Sequence, residues 1–337
     1  MKEILDVCLF LDESAATIYR NLSSNVSDSD LKAFWNRMHE EEKTHISWWE
    51  SLLDLAQRGA LPQIFDEPEN VLNELSLKKR KVHEFLTQSS SSLSVTDQFL
   101  LAYRLEFYML HAAFVQLWYF LDIVEPKEST PEQEYDTHIS SFIHTMQKYG
   151  TATQELEVLG EAIDHLWTTI KQVNRDANLD ILTNVLNRKA LFNTIRTLAY
   201  LSKRNRLTSG MLLIDIDMFK QINDRYGHQK GDHVLRQVAR IISSNTRRSD
   251  VFGRYGGEEF LLFLPQVEQA SMENFAEKLR SSVETGTKPD IPATISIGGA
   301  STLFSGNVEK ELDALIKKAD DLMYQAKREG RNKAVIE

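Results

Sequence analysis

The stretch Arg254-Tyr255-Gly256-Gly257-Glu258-Glu259-Phe260 lies between two apolar runs, Val251-Phe252 before it and Phe260-Leu261-Leu262-Phe263-Leu264 after it. Two such runs around a glycine pair read as a β-hairpin. Glycine lets backbone approach a ligand closely, because no Cβ intervenes. Glu258 and Glu259 then project from the hairpin tip. Paired carboxylates on a glycine turn suit a hard cation that carries a phosphate. A glycine hairpin with solvated acids is also an ordinary surface turn, and the neighbouring segments decide between the two.

Upstream stands Met211-Leu212-Leu213-Ile214-Asp215-Ile216-Asp217-Met218-Phe219-Lys220. Four apolar residues leading into an acid read as a buried strand ending at a carboxylate, and ligands of open α/β sheets gather where strands end. Asn223, Asp224, Gly227-His228 and Gly231-Asp232 follow, then a helical pattern through Val234, Leu235, Val238, Ile241 and Ile242. Asn and Asp side chains can cap turns. They can also read a purine edge, since the amide donates and accepts and the carboxylate takes two N–H donors from guanine.

Together these segments resemble the GGDEF family, the diguanylate cyclases, over roughly residues 179–337. The resemblance opens with Asp180-Ile181-Leu182-Thr183-Asn184-Val185-Leu186-Asn187-Arg188, with Asn184 where the family usually has Gly. It closes with Ala319-Asp320, Met323-Tyr324, Ala326-Lys327 and Gly330-Arg331-Asn332. It implies an α/β domain with a central mixed sheet that condenses two GTP into cyclic di-GMP and two pyrophosphates. Each domain holds one GTP, so two domains must face each other. Catalysis is expected of Asp215, Glu258 and Glu259; Asp215, the Ile216 carbonyl and Glu258 match ligands of Mg²⁺ or Mn²⁺. Glu259 is either a further ligand or an aid in deprotonation. Substrate contacts are expected from Asn223 and Asp232 at guanine, from Gly256 and Gly257 at the turn, and from backbone N–H groups near Phe219 and Lys220. Lys327 and Arg331, four apart on one helix face, match phosphate-binding cations. Arg247 and Asp250 resemble the family's Arg-x-x-Asp inhibitory site for product; the arginine fork suits guanine and phosphate edges.

The chain of 337 residues fits two domains. Residues 1–178 carry 15 basic and 29 acidic residues, net −14, whereas residues 179–337 carry 24 and 20, net +4. The second half suits an anionic nucleotide; the first argues against nucleic acid or an anionic membrane as partner. One cysteine, Cys8, excludes an internal disulfide framework and suits a reducing cytoplasm, as does the lack of a signal-peptide pattern. The apolar stretch from Phe107 to Leu121 contains His111 and Gln116 and reads as a buried bundle helix, not a membrane span.

Helical spacing runs through 2–22, 29–58, 71–88, 95–123 and 131–148, broken by a stretch with Pro62 and Pro68 and by the serine run 89–92. This fits a four-helix bundle with one long crossover over residues 1–150. Glu13, the Glu42-x-x-His45 pair, Glu106 and His138 recur on its four main helices. They resemble the ligands of ferritin-like, rubrerythrin-type di-iron bundles. That family expects a second Glu-x-x-His on the fourth helix; here Tyr135 stands three residues before His138, and Glu134 four before. The resemblance implies iron, as a di-iron centre sensing oxygen or redox state.

Between the halves, over 151–178, Leu156, Leu159, Ile163, Leu166, Ile170 and Val173 step by three and four. That is the a/d seam of a parallel coiled coil joining a homodimer; a fifth helix packed on the bundle carries the same stripe. The expectation is therefore a cytoplasmic sensor cyclase. A degenerate nucleotide-binding second half, and a first half that is a structural dimerisation, zinc or haem module, are the alternatives.

Overall fold

Asp28 Oδ1 accepts the Leu31 N–H at 2.8 Å, capping a helix that follows a short turn. This helix, α2 (Ser29–Gln57), pairs with α1 (Lys2–Ser24), and both bury an apolar face. In this computed structural model the described residues are 1–337 apart from 60, 62, 90–92, 126 and 150–153, together with the side chains of 154 and 155. Pro62, serines 90–92 and the expected boundary at 150/151 lie outside them. The chain divides into two compact units, Met1–Asn174 and Arg175–Glu337.

The first unit continues with α3 (Pro68–Gln88), α4 (Val95–Met109), α5 (Ala112–Val124) and α6 (Pro131–Tyr149). The single helix expected over 95–123 is two. Leu110 is extended, the His111 Nδ1 accepts the Ala113 N–H at 3.2 Å as an N-cap, and α4 and α5 meet at 68°. Among the described residues no single helix is long and apolar enough to cross a membrane; the bent α4–α5 pair passes by length and composition, and its Phe99, Leu105, Phe114 and Trp118 are buried.

Helix α7 (Gln154–Asn178) runs across the boundary of the units. Its first part packs on α6. Leu156, Ile163 and Trp167 are buried, and the Trp167 indole N–H donates to Asp136 Oδ1 at 2.6 Å. A Cβ at Gly160 would come within 3.2 Å of Met146, so the two helices approach closely there. The alternative of a helix packed on the bundle thus describes two of the six stripe residues, Leu156 and Ile163. The other four are half-buried at Leu159, Leu166 and Ile170 and 58% exposed at Val173.

The second unit comprises α8 (Arg188–Asn205), β1 (Thr208–Ile216), α9 (Phe219–Tyr226), α10 (His228–Asn245), β2 (Val251–Gly256), β3 (Glu259–Leu264), α11 (Gln269–Thr287), β4 (Ile295–Leu303), α12 (Val308–Arg328) and β5 (Ala334–Ile336). The strands form one sheet in the order β2-β3-β1-β4-β5, antiparallel except for the parallel β4–β5 pair. β1 is central and buried on both faces, which explains its unbroken apolar run. Leu212, Ile214 and Ile216 pack with Val234, Val238 and Ile242 of α10 and Met272, Leu279 and Val283 of α11. α12 crosses β4 so closely that a Cβ at Gly298 would lie 2.0 Å from the Met323 nitrogen. Only glycine fits there, and the contact seats the helix that carries Lys327.

Asn184 has φ 57°. That left-handed conformation accounts for the glycine usual at this position, and asparagine is among the side chains that tolerate it best.

Candidate active site and candidate metal centre

The expected hairpin is present, with Gly257 at φ 51° in its turn and a register shift between Arg254 and Gly256. Its strand β3 pairs with β1 so that Glu259 lies opposite Asp215. The Ile216 N–H reaches the Glu258 carbonyl at 3.4 Å. Strand pairing therefore brings Asp215, Glu258 and Glu259 to one end of the sheet. Asp215 is buried, and its Oδ2 accepts the Lys327 ammonium at 2.7 Å. Burial, helped by Glu258 and Glu259, outweighs Lys327 and pushes the Asp215 carboxyl up to about 6. Burial also raises Glu259. Three carboxylates and one ammonium at a sheet end make a site for a divalent cation and a polyanion.

Asp217, quoted within the strand-end motif but given no role from sequence, proves structural. It accepts Thr294 Oγ1 at 2.7 Å, Ser296 Oγ at 2.6 Å and the Asn332 N–H at 2.9 Å. These bonds tie the ends of β1 and β4 to the turn after α12. Arg331 sits in that turn, which corrects the expectation that it shares a helix face with Lys327. Helix α12 ends at Arg328, Gly330 has φ 113°, and the Arg331 N–H closes back on the Ala326 carbonyl at 3.0 Å. This is a Schellman-type closure on a left-handed glycine, and it turns the chain off the helix axis.

Phe219 and Lys220 open α9, where first-turn N–H groups have no intrahelical partner. Asn223 follows in α9, with a buried Oδ1 that has no hydrogen-bond partner. A Cβ at Gly231 would lie 1.8 Å from that oxygen, so glycine makes room for the amide. Asp232, the next residue, is half-buried near the start of α10.

Arg247 and Asp250 form a turn, with the Arg247 N–H on Asp250 Oδ2 at 2.8 Å and the Asp250 N–H on the Arg247 carbonyl at 3.0 Å. Both line a cleft of ≈ 1160 Å³ together with Arg206, Gln269, Phe275 and Lys278. Arg206 and Lys278 were not singled out from sequence; only the fold brings them to this cleft.

The family model for "Diguanylate cyclase, GGDEF domain" matches residues 177–333. Residues 177–333 are a GGDEF domain. The chain is similar to the diguanylate cyclase DosC of Escherichia coli strain K12, 35% identical over 197 residues, which is 57% of this chain and 40% of that protein. It is likewise similar to the diguanylate cyclase VdcA of Vibrio cholerae, 35% identical over 202 residues, 59% of this chain and 56% of that one. The chain thus spans about half or less of the length of these relatives. Among solved structures, the active GGEEF domain of a diguanylate cyclase from Vibrio cholerae is 32% identical, covering 44% of this chain and 96% of that one, with TM-score 0.42. The coiled coil and GGDEF domain of DgcB from Caulobacter crescentus, in complex with c-di-GMP, is 28% identical, covering 54% and 97%, with TM-score 0.48.

The first unit holds a different constellation. Asp12 of α1, Glu42 and His45 of α2, Glu106 of α4 and His138 of α6 are each at most 1% exposed. Donor atoms of Asp12, Glu42 and His45 lie within 4.8 Å of one another, as do those of Glu42, Glu106 and His138. Glu42 belongs to both groups. Two expected residues are corrected. Glu13 is exposed, because the apolar stripe of α1 turns its neighbour Asp12 inward. Glu134 is half-buried and accepts from Ser129 Oγ, one position off the inward line of Tyr135 and His138.

His138 Nε2 lies 3.0 Å from Glu106 Oε1 and 3.5 Å from Glu42 Oε1, and its Nδ1 lies 2.8 Å from Glu41 Oε2. A carboxylate on the outer nitrogen is the usual support for a metal-binding imidazole. Tyr19 and Tyr135 donate to Glu106, Tyr135 at 3.2 Å. His45 Nδ1 is 3.1 Å from Glu42 Oε2, and the Trp49 N–H donates to Asp12 Oδ2 at 2.5 Å. Two buried oxygens, Asp12 Oδ1 and Glu42 Oε1, have no hydrogen-bond partner, the His138 contact of Glu42 lacking the geometry for one.

Burial raises Asp12 and Glu42 well above the usual carboxylate range and lowers His45 to about 3, leaving that imidazole neutral. Burial opposes the charge of His138, yet Glu106, Glu41 and Glu42 outweigh it and raise it well above its ordinary value. Carboxylates, two imidazoles and orphaned buried oxygens are a donor set that fits iron, manganese or zinc.

Proposed function

We propose that the protein is a diguanylate cyclase that condenses two GTP into cyclic di-GMP and two pyrophosphates. The carrying observation is the meeting of Asp215, Glu258, Glu259 and Lys327 at one end of the sheet. Asp215, the Ile216 carbonyl and Glu258 are the ligands for Mg²⁺ or Mn²⁺, which supplies neutralisation of the triphosphate and activation of the 3′-hydroxyl. Lys327 is the cation at hand for the phosphates once Asp215 no longer needs it. Glu259, raised by burial, takes the hydroxyl proton as the 3′-oxygen attacks the α-phosphorus and pyrophosphate leaves. Asn223, with its open acceptor oxygen, and Asp232 read guanine. Arg247 and Asp250 hold product in the ≈ 1160 Å³ cleft and slow the enzyme. Purified full-length chain tests this: GTP, but not ATP, is converted to cyclic di-GMP with Mg²⁺ or Mn²⁺, and the absence of product in both oxidised and reduced forms refutes it.

The first unit is the regulator. Its buried carboxylate–histidine cluster, of ferritin-like type, holds iron as a pair of ions and senses oxygen or redox state. The observation behind this is the pair of orphaned oxygens, Asp12 Oδ1 and Glu42 Oε1, aimed among neutral or paired histidines. Since one domain holds one GTP, the working form is a homodimer. The exposed side of α7, with Val158 and Val173, is the surface that pairs as a coiled coil in the cytoplasm. Metal analysis of anaerobically purified protein, with cyclase rates before and after oxidation, tests the regulatory reading.

A further inference from the structure

The cluster of the first unit is built from two like halves. In one, Asp12 of α1 stands with Glu42-x-x-His45 of α2. In the other, Glu106 of α4 stands with Tyr135-x-x-His138 of α6. Three-residue spacing puts both members of each pair on one helix face. Each half therefore offers one carboxylate from a first helix, and an oxygen and an imidazole from a second. The oxygen is a carboxylate in one half and a phenol in the other.

We infer that Tyr135 supplies its phenol oxygen as a metal ligand in the half formed by Glu106 and His138. This rests on the metal reading of the first unit. The Tyr135 side chain is 1% exposed, its ring stacks on His138 at 5.4 Å, and its hydroxyl lies 3.2 Å from Glu106 Oε2. The oxygen is thus already beside one donor of the candidate position, and its ring lies against the imidazole that carries another. Tyr19 also bonds Glu106, but through the oxygen that His138 shares, and the residue three further along its helix is Leu22, not a histidine. Phenolate is a hard oxygen donor that proteins use for ferric iron. A ferric ion held there would take the place of the phenolic proton, which is released as the metal is loaded, and Glu106 Oε2, the present acceptor of that proton, would be free to ligate.

The assignment also gives the site a distinct outlet. The Tyr135 ring packs edge-on against Trp167 of α7 at 5.0 Å, and Trp167 is fastened to Asp136, the next residue of α6. The side chain that takes the metal is therefore one on which α7 rests.

The test uses the full chain, loaded anaerobically with ferrous iron and oxidised by ferricyanide, each ferrous ion giving one electron. The wild type is expected to show a visible phenolate-to-iron absorption band, with tyrosine ring vibrations enhanced in resonance Raman spectra excited within it. Tyr135→Phe is expected to retain measurable iron and lose both signals; Tyr19→Phe is expected to keep both. Iron bound without the band, a band surviving in Tyr135→Phe, or a band lost in Tyr19→Phe overturns the assignment and leaves the metal reading standing. Protein that binds no iron overturns both. Should Tyr135→Phe not fold, the wild type and Tyr19→Phe decide, since among the described residues these two phenols are the ones bonded to Glu106.

Discussion

The guanidinium of Arg254 bridges the hairpin turn and Asp180: Nη1 lies 3.0 Å from Asp180 Oδ1, while Nε and Nη2 donate to the Gly257 carbonyl at 2.9 and 2.7 Å. Asp180 stands just after α7, and Gly257 immediately precedes Glu258. One arginine thus ties the start of the GGDEF domain to the turn that carries its acids. Burial pushes the Asp180 carboxyl up, but the Thr183 bonds and Arg254 outweigh it and hold it below the usual range.

Because Asp180 is lowered, its contribution to stability is complete above the ordinary value of 3.8 and is lost as pH falls through the lower folded value. At neutral pH Asp180→Asn is expected to loosen the hairpin and cut kcat about 10- to 100-fold, the scale of a misplacement of about 1 Å. Steady-state kinetics with circular dichroism checks this; an unchanged kcat removes the clamp from the mechanism.

Asp215 must lose its proton before it can bind a cation. With its carboxyl near 6, Mn²⁺ affinity is expected to hold above that pH and to weaken about tenfold per pH unit below it. Titration calorimetry from pH 5 to 8, with the fold monitored in parallel, reads this directly. Glu258→Gln removes a ligand charge and is expected to abolish turnover while the fold persists.

Arg247→Ala is expected to weaken cyclic di-GMP binding about 10- to 100-fold, the equivalent of one charged hydrogen-bonding group. Product then accumulates further at late times. Equal affinity in variant and wild type would count against the cleft.

Asp12 and Glu13 are adjacent, yet Asp12 is buried and Glu13 exposed. Asp12→Ala is expected to lower bound metal per chain substantially, and Glu13→Ala to leave it unchanged. His45→Ala is expected to lose metal and redox sensitivity together while basal cyclase activity remains. Elemental analysis of the three variants separates the buried cluster from the exposed face of α1.

Val173 is 58% exposed on α7. Val173→Glu is expected to reduce the dimer fraction and the cyclase rate in parallel, as sedimentation and activity at matched concentrations will show. A variant that stays dimeric assigns the pairing to another surface.

The hairpin, the strand ending at Asp215 and the order of the helices were legible in the sequence because each rests on local chemistry. A glycine pair between apolar runs, an acid after an apolar run and a period near 3.6 are properties of neighbouring residues. What the sequence left open depends on contacts between distant segments. Asp12 and Glu13 differ by one position, about 100° around a helix, and only packing of α1 on α2 turned Asp12 inward. The bend at His111 and the turn that takes Arg331 off α12 each depend on a cap or a single left-handed residue, which periodicity does not register. The heptad stripe of α7 fits the bundle as well as a second chain, because both offer an apolar face; tertiary packing gave Leu156 and Ile163 to the bundle and left Val173 outside. Asp217 and Arg254 gained their roles only through partners 115 and 74 residues away in sequence, which strand pairing brought within hydrogen-bond reach.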